Sequence, residues 1–213
     1  MSSALIHEEF VSYQGTGHLL GLRQYFVRFA GCSVVDCPIR RVCDEPQAIL
    51  RARGLPSRPR AIVERALDAV GSGGWIHLTG GEPTDQAEAL AEVARLAQAN
   101  GLRVHLQTSG VRPIEFQFDW LTVSPKTSAA DLAQRYGHEL VVIYDSQTAD
   151  ELREYEALRF FYYYLAPQDR RRDGLLLPRR ALLDSLADRD RQRHHNAGEW
   201  LLTTQAHKSW GIA

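Results

Sequence analysis

The sequence predicts an α/β fold, a mostly parallel sheet curved into a partial barrel and completed by a short C-terminal extension. Three observations lead there. Short apolar strands alternate with helical or loop crossovers along most of the chain, and such crossovers imply parallel pairing. Polar and glycine residues fall repeatedly just after the strands, at the edge where α/β folds bind ligands. The 213 residues, 44% hydrophobic and 24% charged, suffice for one well-buried domain or two very small ones, and 1–213 is read as a single domain.

Residues 7–21, HEEFVSYQGTGHLLG, read as a short strand leading into a loop. Aromatics give way there to three glycines and the polar Gln14 and Thr16, so the backbone must come close to something. From Gln24 the next strand alternates, with Phe26, Arg28 and Ala30 on one face and Tyr25, Val27 and Phe29 on the other. Residues 44–59, rich in proline and arginine, form a loop with a short helical piece. Residues 60–70 place Ala61, Ile62, Ala66, Leu67 and Val70 at helical period, and the glycine-rich 71–74 ends that helix. Residues 75–78 are a strand running into TGGEP at 79–83; the helix from Asp85 buries Ala89, Leu90, Val93 and Leu96 and stops at Asn100 and Gly101.

The same unit recurs. Strands at 102–106 and 120–123 end in Gln107 to Gly110 and in Ser124 to Lys126, and a further strand covers 140–144. Thr148 and Glu151 form a capping box for a helix, and 159–165 is an aromatic strand. Residues 169–180, with five arginines, read as a solvated loop. Residues 182–195 look helical, with His194 and His195 exposed at the end. Residues 200–213, WLLTTQAHKSWGIA, give a strand and a polar patch that either folds over the site or caps the surface.

A net charge of −1 gives no global pull toward nucleic acid or a membrane surface. No apolar run reaches about 18 residues, and MSSALIHEEF has neither the basic start nor the apolar core of a signal peptide, so a cytoplasmic protein is expected. Three cysteines, an odd number closely clustered, argue against a disulfide framework.

Those cysteines, Cys32, Cys37 and Cys43, all lie in QYFVRFAGCSVVDCPIRRVCDE at 24–45, directly after a strand. Three thiolates on one loop can hold three irons of a 4Fe-4S cluster and leave the fourth iron open. The loop alone also admits a structural zinc, although His7 and His18 are not spaced as partners, or three buried cysteines with no metal. Arg28, beside this loop, belongs either at a strand edge or facing the site, where its planar fork could clamp a carboxylate. Segments 32–43, 79–82, 107–110 and 124–126 should converge on one site.

The cysteine loop after one strand and TGGEP after the next resemble the radical S-adenosylmethionine (SAM) superfamily. The resemblance narrows to the 7-carboxy-7-deazaguanine synthase family through EEFVSYQGTG at 8–17, FVRFAGC at 26–32, CDE at 43–45, HLTGGEPTDQ at 77–86, QTSG at 107–110, LTVSPK at 121–126, YLAPQD at 164–169 and TQAHKSWGI at 204–212. It implies a truncated (β/α)6-type radical SAM barrel and conversion of 6-carboxy-5,6,7,8-tetrahydropterin to 7-carboxy-7-deazaguanine, a ring contraction with loss of ammonia in queuosine and deazapurine biosynthesis. It also implies SAM, a 4Fe-4S cluster and Mg2+ as cofactors, an electron donor such as flavodoxin, and a homodimer.

Carried onto this chain, the resemblance assigns the cluster to Cys32, Cys37 and Cys43, and SAM to Gly80, Gly81, Glu82, Thr108, Ser124 and Lys126. The pterin falls to Gln14, Thr16, Arg28 and His207. Three departures stand out. The cysteine spacing is four then five intervening residues rather than three then two; Thr16 replaces a glutamate of QGEG; and Glu45 replaces the threonine of CDT. A carboxylate is a good hard-cation ligand, so Glu45 could bind magnesium or take over the role that Thr16 vacates. Two other functions stay open: radical SAM chemistry on a different substrate, and a non-catalytic metal-binding module of the same fold.

Overall fold

A computed structural model describes residues 3–169, 174–187 and 199–211. Its strands are β1 (Ala4–Tyr13), β2 (Arg23–Phe29), β3 (Leu55–Ser57), β4 (Trp75–Gly80), β5 (Arg103–Thr108), β6 (Trp120–Val123), β7 (Tyr136–Tyr144), β8 (Arg159–Asp169), β9 (Leu175–Leu176) and β10 (Trp200–Leu202). Helices are α1 (Pro59–Val70), α2 (Ala87–Ala99), α3 (Ala149–Glu154), α4 (Arg180–Ala187) and α5 (Ala206–Trp210). Among the described residues one sheet runs in the order β10-β8-β7-β6-β5-β4-β2-β1-β3, with β9 paired to β8. It is parallel from β10 to β2, while β1 joins β2 and β3 antiparallel.

The parallel run follows from the crossovers, since parallel neighbours cannot be joined by a tight hairpin. Alternation then divides the side chains. Val27, Phe29, Ile76, Leu78, Val104, Leu106, Leu140 and Val142 join the main apolar cluster, to which α1 adds Ile62, Val63 and Ala66 and α2 adds Leu90, Val93 and Ala97. Residues of opposite parity, including Gln24, His77, His105, Thr122 and Glu139, are buried as well but polar. A sheet face so lined cannot be core in the ordinary sense; it needs internal hydrogen bonds or a ligand.

Helix ends follow the sequence. Pro59 starts α1 and Gly71, at φ +73°, closes it. Thr148 accepts from the Glu151 amide and Glu151 reaches back to the Thr148 amide, the expected capping box. The chain after TGGEP first makes a 3-10 turn over Pro83–Gln86, and α2 begins only at Ala87. Strands β7 and β8 are longer than the apolar runs 140–144 and 159–165. The short β3 was hidden in the proline- and arginine-rich segment, and the terminal polar patch is carried on α5. Helix α4 covers the first part of 182–195; the rest, with His194 and His195, lies outside the described residues, as do three of the arginines in 169–180. Among the described residues the sheet is open, ending at β3 and β10.

Candidate functional site at the carboxyl ends of the strands

A cavity of ≈ 260 Å³ lies where β2, β4, β5 and β6 end. Three groups of predicted residues meet on it. Cys32, Cys37 and Cys43 line it with Gly80 and Gly81; Thr108, Ser124 and Lys126 come from the ends of β5 and β6; Gln14, Thr16, Arg28 and Glu45 complete it. Glu82 is not among the lining residues. His207 sits on α5, but its side chain lies outside the described residues.

On the cysteine side, strand ends are packed backbone to backbone. A Cβ on Gly80 would come 2.3 Å from both the nitrogen and the oxygen of Phe29, and one on Gly81 2.2 Å from the Gly31 oxygen. Only glycine fits so close an approach. Glu82, 1% exposed, points into the protein. Its Oε1 accepts from the Thr84 amide (3.1 Å), the Thr84 hydroxyl (2.6 Å) and the Thr108 hydroxyl (2.6 Å), and its Oε2 from the Ser109 amide (2.9 Å) and hydroxyl. This one carboxylate therefore ties the end of β4 to the end of β5. Asp85 does the same for the cysteine loop, accepting from the Ser33 amide and hydroxyl at 2.7 Å and pairing with Arg112 at 3.1 Å.

None of the three cysteines, all among the described residues, forms a disulfide. Burial pushes the Cys32 and Cys43 thiols up, with neighbouring carboxylates adding to the shift. Among the described residues no three His, Cys, Asp or Glu side chains are already gathered for a metal ion. The donors still suit a 4Fe-4S cluster: three soft sulfur ligands share one cavity. Lys126 lies beside them, donating to the Ser124 carbonyl (2.7 Å) and hydroxyl (2.8 Å); burial lowers its pKa while the cysteines and Glu82 oppose that.

The other side is organised by charge. Arg28 faces the cavity, as its position on β2 allowed, and is clamped between Glu45 (2.5 Å) and Glu8 (2.9 Å) over the ring of Phe10. Glu45 is thus committed to Arg28. Burial raises the Glu45 pKa and Arg28 counteracts it. Gln14 and Thr16 are buried and 3.4 Å apart on the loop between β1 and β2. The C-terminal segment closes over this side: the Ala206 amide donates to the Gly15 carbonyl (2.9 Å), the Gly17 amide to the Thr203 hydroxyl (3.0 Å), and Gln205 to Asp44 (2.9 Å).

Sequence reasoning missed His77 as a lining residue; Gln205, in the C-terminal patch expected over the site, also lines the cavity. His77 is 1% exposed, and neither ring nitrogen meets a partner of full hydrogen-bond geometry, although Gln107 lies beside it. It stacks 3.9 Å from His105, and burial holds both rings well below the ordinary histidine pKa, His105 down to about 3. The signal was the alternation itself, which puts His77 on the face of Thr79 and Arg28 rather than of Leu78. Polar nitrogens left open in a lined cavity suit a polar occupant.

No family model matches the chain. A 7-carboxy-7-deazaguanine synthase of Haemophilus influenzae is 31% identical over 217 residues, covering 97% of this chain and 93% of that protein. One from Synechocystis is 34% identical over 154 residues, 71% and 70% of the two chains. One from Bradyrhizobium diazoefficiens is 30% identical over 226 residues, 99% of each. The fold matches the crystal structure of QueE from Escherichia coli with a TM-score of 0.62, at 21% identity and over 96% and 95% of the two chains. The chain belongs to the 7-carboxy-7-deazaguanine synthase family.

Proposed function

We propose that this protein converts 6-carboxy-5,6,7,8-tetrahydropterin to 7-carboxy-7-deazaguanine, with loss of ammonia, as a radical SAM lyase in queuosine biosynthesis. One observation carries the reading beyond family membership. The cysteines, the glycine pair and the loop bearing Gln14 and Thr16, which are far apart in sequence, line a single cavity. The open sheet is read as the truncated (β/α)6-type barrel, and 1–213 as one domain. A homodimer, and an electron donor such as flavodoxin, belong to the same reading. Among the described residues no helix is long and apolar enough to cross a membrane.

Cys32, Cys37 and Cys43 would hold the cluster, and Gly80, Gly81, Thr108, Ser124 and Lys126 would bind SAM. When bound, the cluster and SAM would supply radical chemistry able to take hydrogen from the substrate, given one electron from the donor. The chain's own part is orientation and exclusion of water. Glu82 holds the SAM-side loops by staples rather than by contact. Gln14, Thr16 and His207 would hold the pterin. The Arg28 guanidinium matches its carboxylate bidentately, provided that the carboxylate displaces Glu45. Glu45 is also the residue assigned to Mg2+. A cation there competes with a guanidinium 2.5 Å away, and no step is routed through it.

The Glu45–Arg28 pair favours one second reading: radical chemistry on a substrate that needs no free arginine. Mass spectrometry of an anaerobic reaction with reconstituted protein, SAM, reductant, Mg2+ and the pterin separates the two. 7-Carboxy-7-deazaguanine is the expected product; 5′-deoxyadenosine alone would move the substrate elsewhere, and neither compound from a cluster-loaded protein would defeat both readings.

A further inference from the structure

Beneath the cavity runs a chain of buried polar groups that the proposed chemistry does not use. Gln24 meets His105 Nδ1 at 3.1 Å, His105 Nε2 meets the Thr122 hydroxyl at 2.8 Å, and that hydroxyl donates to Glu139 Oε1 at 2.5 Å. Glu139 is 0% exposed. Its other oxygen accepts from the His18 amide at 2.7 Å. Gly17, at φ +71°, presses directly on this carboxylate, and a Cβ there would lie 2.5 Å from Oε2. A fully buried carboxylate is costly, so a residue placed here must be held by every donor within reach.

We propose that Glu139 is a positioning residue that fixes the 14–18 loop, and with it Gln14 and Thr16, on the pterin side of the cavity through the His18 amide and the Gly17 backbone. The inference rests on the functional reading above for its ligand, but the anchor itself does not. Backbone bonds close the base of the loop, Gln14 amide to Leu22 carbonyl (2.9 Å) and Gly21 amide to Gln14 carbonyl (2.8 Å), while Thr203 and Ala206 hold it from the C-terminal segment. Glu139 is the one side chain on the sheet that reaches its turn with a charge-capable acceptor among these bonds.

The polar chain explains why the carboxylate stays put. An ionised Glu139 only accepts, so Thr122 must donate to it and can then accept from His105 Nε2–H. The neutral imidazole offers Nδ1 as acceptor, and turning the Gln24 amide lets Nε2 donate to it. That turn also gives the Gln24 amide nitrogen the partner it otherwise lacks. His105, Thr122 and Glu139 are then each partnered, and the network locks the rotamer of Glu139.

Two variants and two readouts test the proposal in the reconstituted holoenzyme. Glu139→Ala removes the anchor, and Glu139→Gln keeps one acceptor for His18. Amide exchange by mass spectrometry should accelerate about tenfold or more at 14–18 in Glu139→Ala, much less in Glu139→Gln, and not at all in α2. The KM for the pterin should rise about tenfold in Glu139→Ala, with the KM for SAM within about twofold and Glu139→Gln intermediate. Should Glu139→Ala not fold, Gly17→Ala strains the same contact from the loop's side and should give the same split. Unchanged exchange at 14–18 would overturn the anchor, and parallel rises in both KM values would overturn the positioning role. If the wild type does not turn over the pterin, the function fails while exchange still decides the anchor.

Discussion

The two sides of the cavity are each fastened by a fully buried glutamate, but in different ways. Glu82 gathers five donors from Thr84, Thr108 and Ser109, at or just after the ends of the adjacent strands β4 and β5. Around it the glycine pair leaves no room for a side chain, so the cysteine side is set by packing as much as by bonds. Glu139 accepts from the Thr122 hydroxyl (2.5 Å) on another strand and from the His18 amide (2.7 Å) on a loop otherwise held by its own backbone bonds and the C-terminal segment. Nearby, Arg28 is shared between Glu8 and Glu45. One side is rigid by construction; the other is held by charges that an incoming carboxylate or cation can rearrange. Cofactor binding needs the first property, and substrate exchange the second.

Perturbing each side should separate the two behaviours. The largest effect is expected from Cys37→Ala, which should abolish product formation while circular dichroism and the melting transition stay near wild type; unchanged turnover would remove the cluster from the account. Glu82→Ala comes next. It strips the acceptor from several buried donors and should cost about 3 kcal/mol or more in urea unfolding, whereas loss confined to SAM affinity would show that Glu82 contacts the cofactor instead.

Acid should act through the histidines. His77 and His105 have folded pKa values below the unfolded value near 6.5, so the unfolded chain binds more protons as pH falls. Stability is fully present above that pH and should drop below it, by about 1.4 kcal/mol per pH unit for each ring. Glu139 and Glu45, with raised pKa values, act in the opposite sense between about 4.5 and their folded values. A melting temperature flat from pH 7 to 5 in a Glu45→Gln/Glu139→Gln double variant, which lacks the opposing carboxylates, would mean that the two rings are not buried neutral. The smallest effect is assigned to Glu45→Thr. Freeing Arg28 from a partly exposed pair should lower the KM for the pterin roughly fivefold, equivalent to about 1 kcal/mol; a raised KM would give Glu45 a direct substrate role.

Much of the cysteine side could be read from the residues, because close backbone approach demands glycine and soft metals demand thiols, and both leave short local motifs. The parallel strands were legible for the same reason: their apolar runs are local. Helix α5 and strand β3 were not, since neither has an apolar period of its own and both depend on what they dock against. The hydrogen bonds of Glu82 were not legible either. TGGEP marks it as part of a ligand cradle, yet its carboxylate serves Thr108 and Ser109, about 26 residues away. Glu139 left no signal, because a glutamate in GHELVVIY reads as a solvent-facing strand position until Thr122 and His18 are brought to it by the fold. Arg28 was placed on the right face, but its pairing with Glu45 joins two segments whose meeting no spacing reveals.

The most direct test is iron and sulfide analysis of anaerobically purified protein, with electron paramagnetic resonance of the reduced sample before and after SAM. The account predicts about four irons per chain, a reduced-cluster signal that SAM perturbs, and loss of both in Cys37→Ala. Zinc in place of iron, or a cluster signal that SAM leaves untouched, would contradict it.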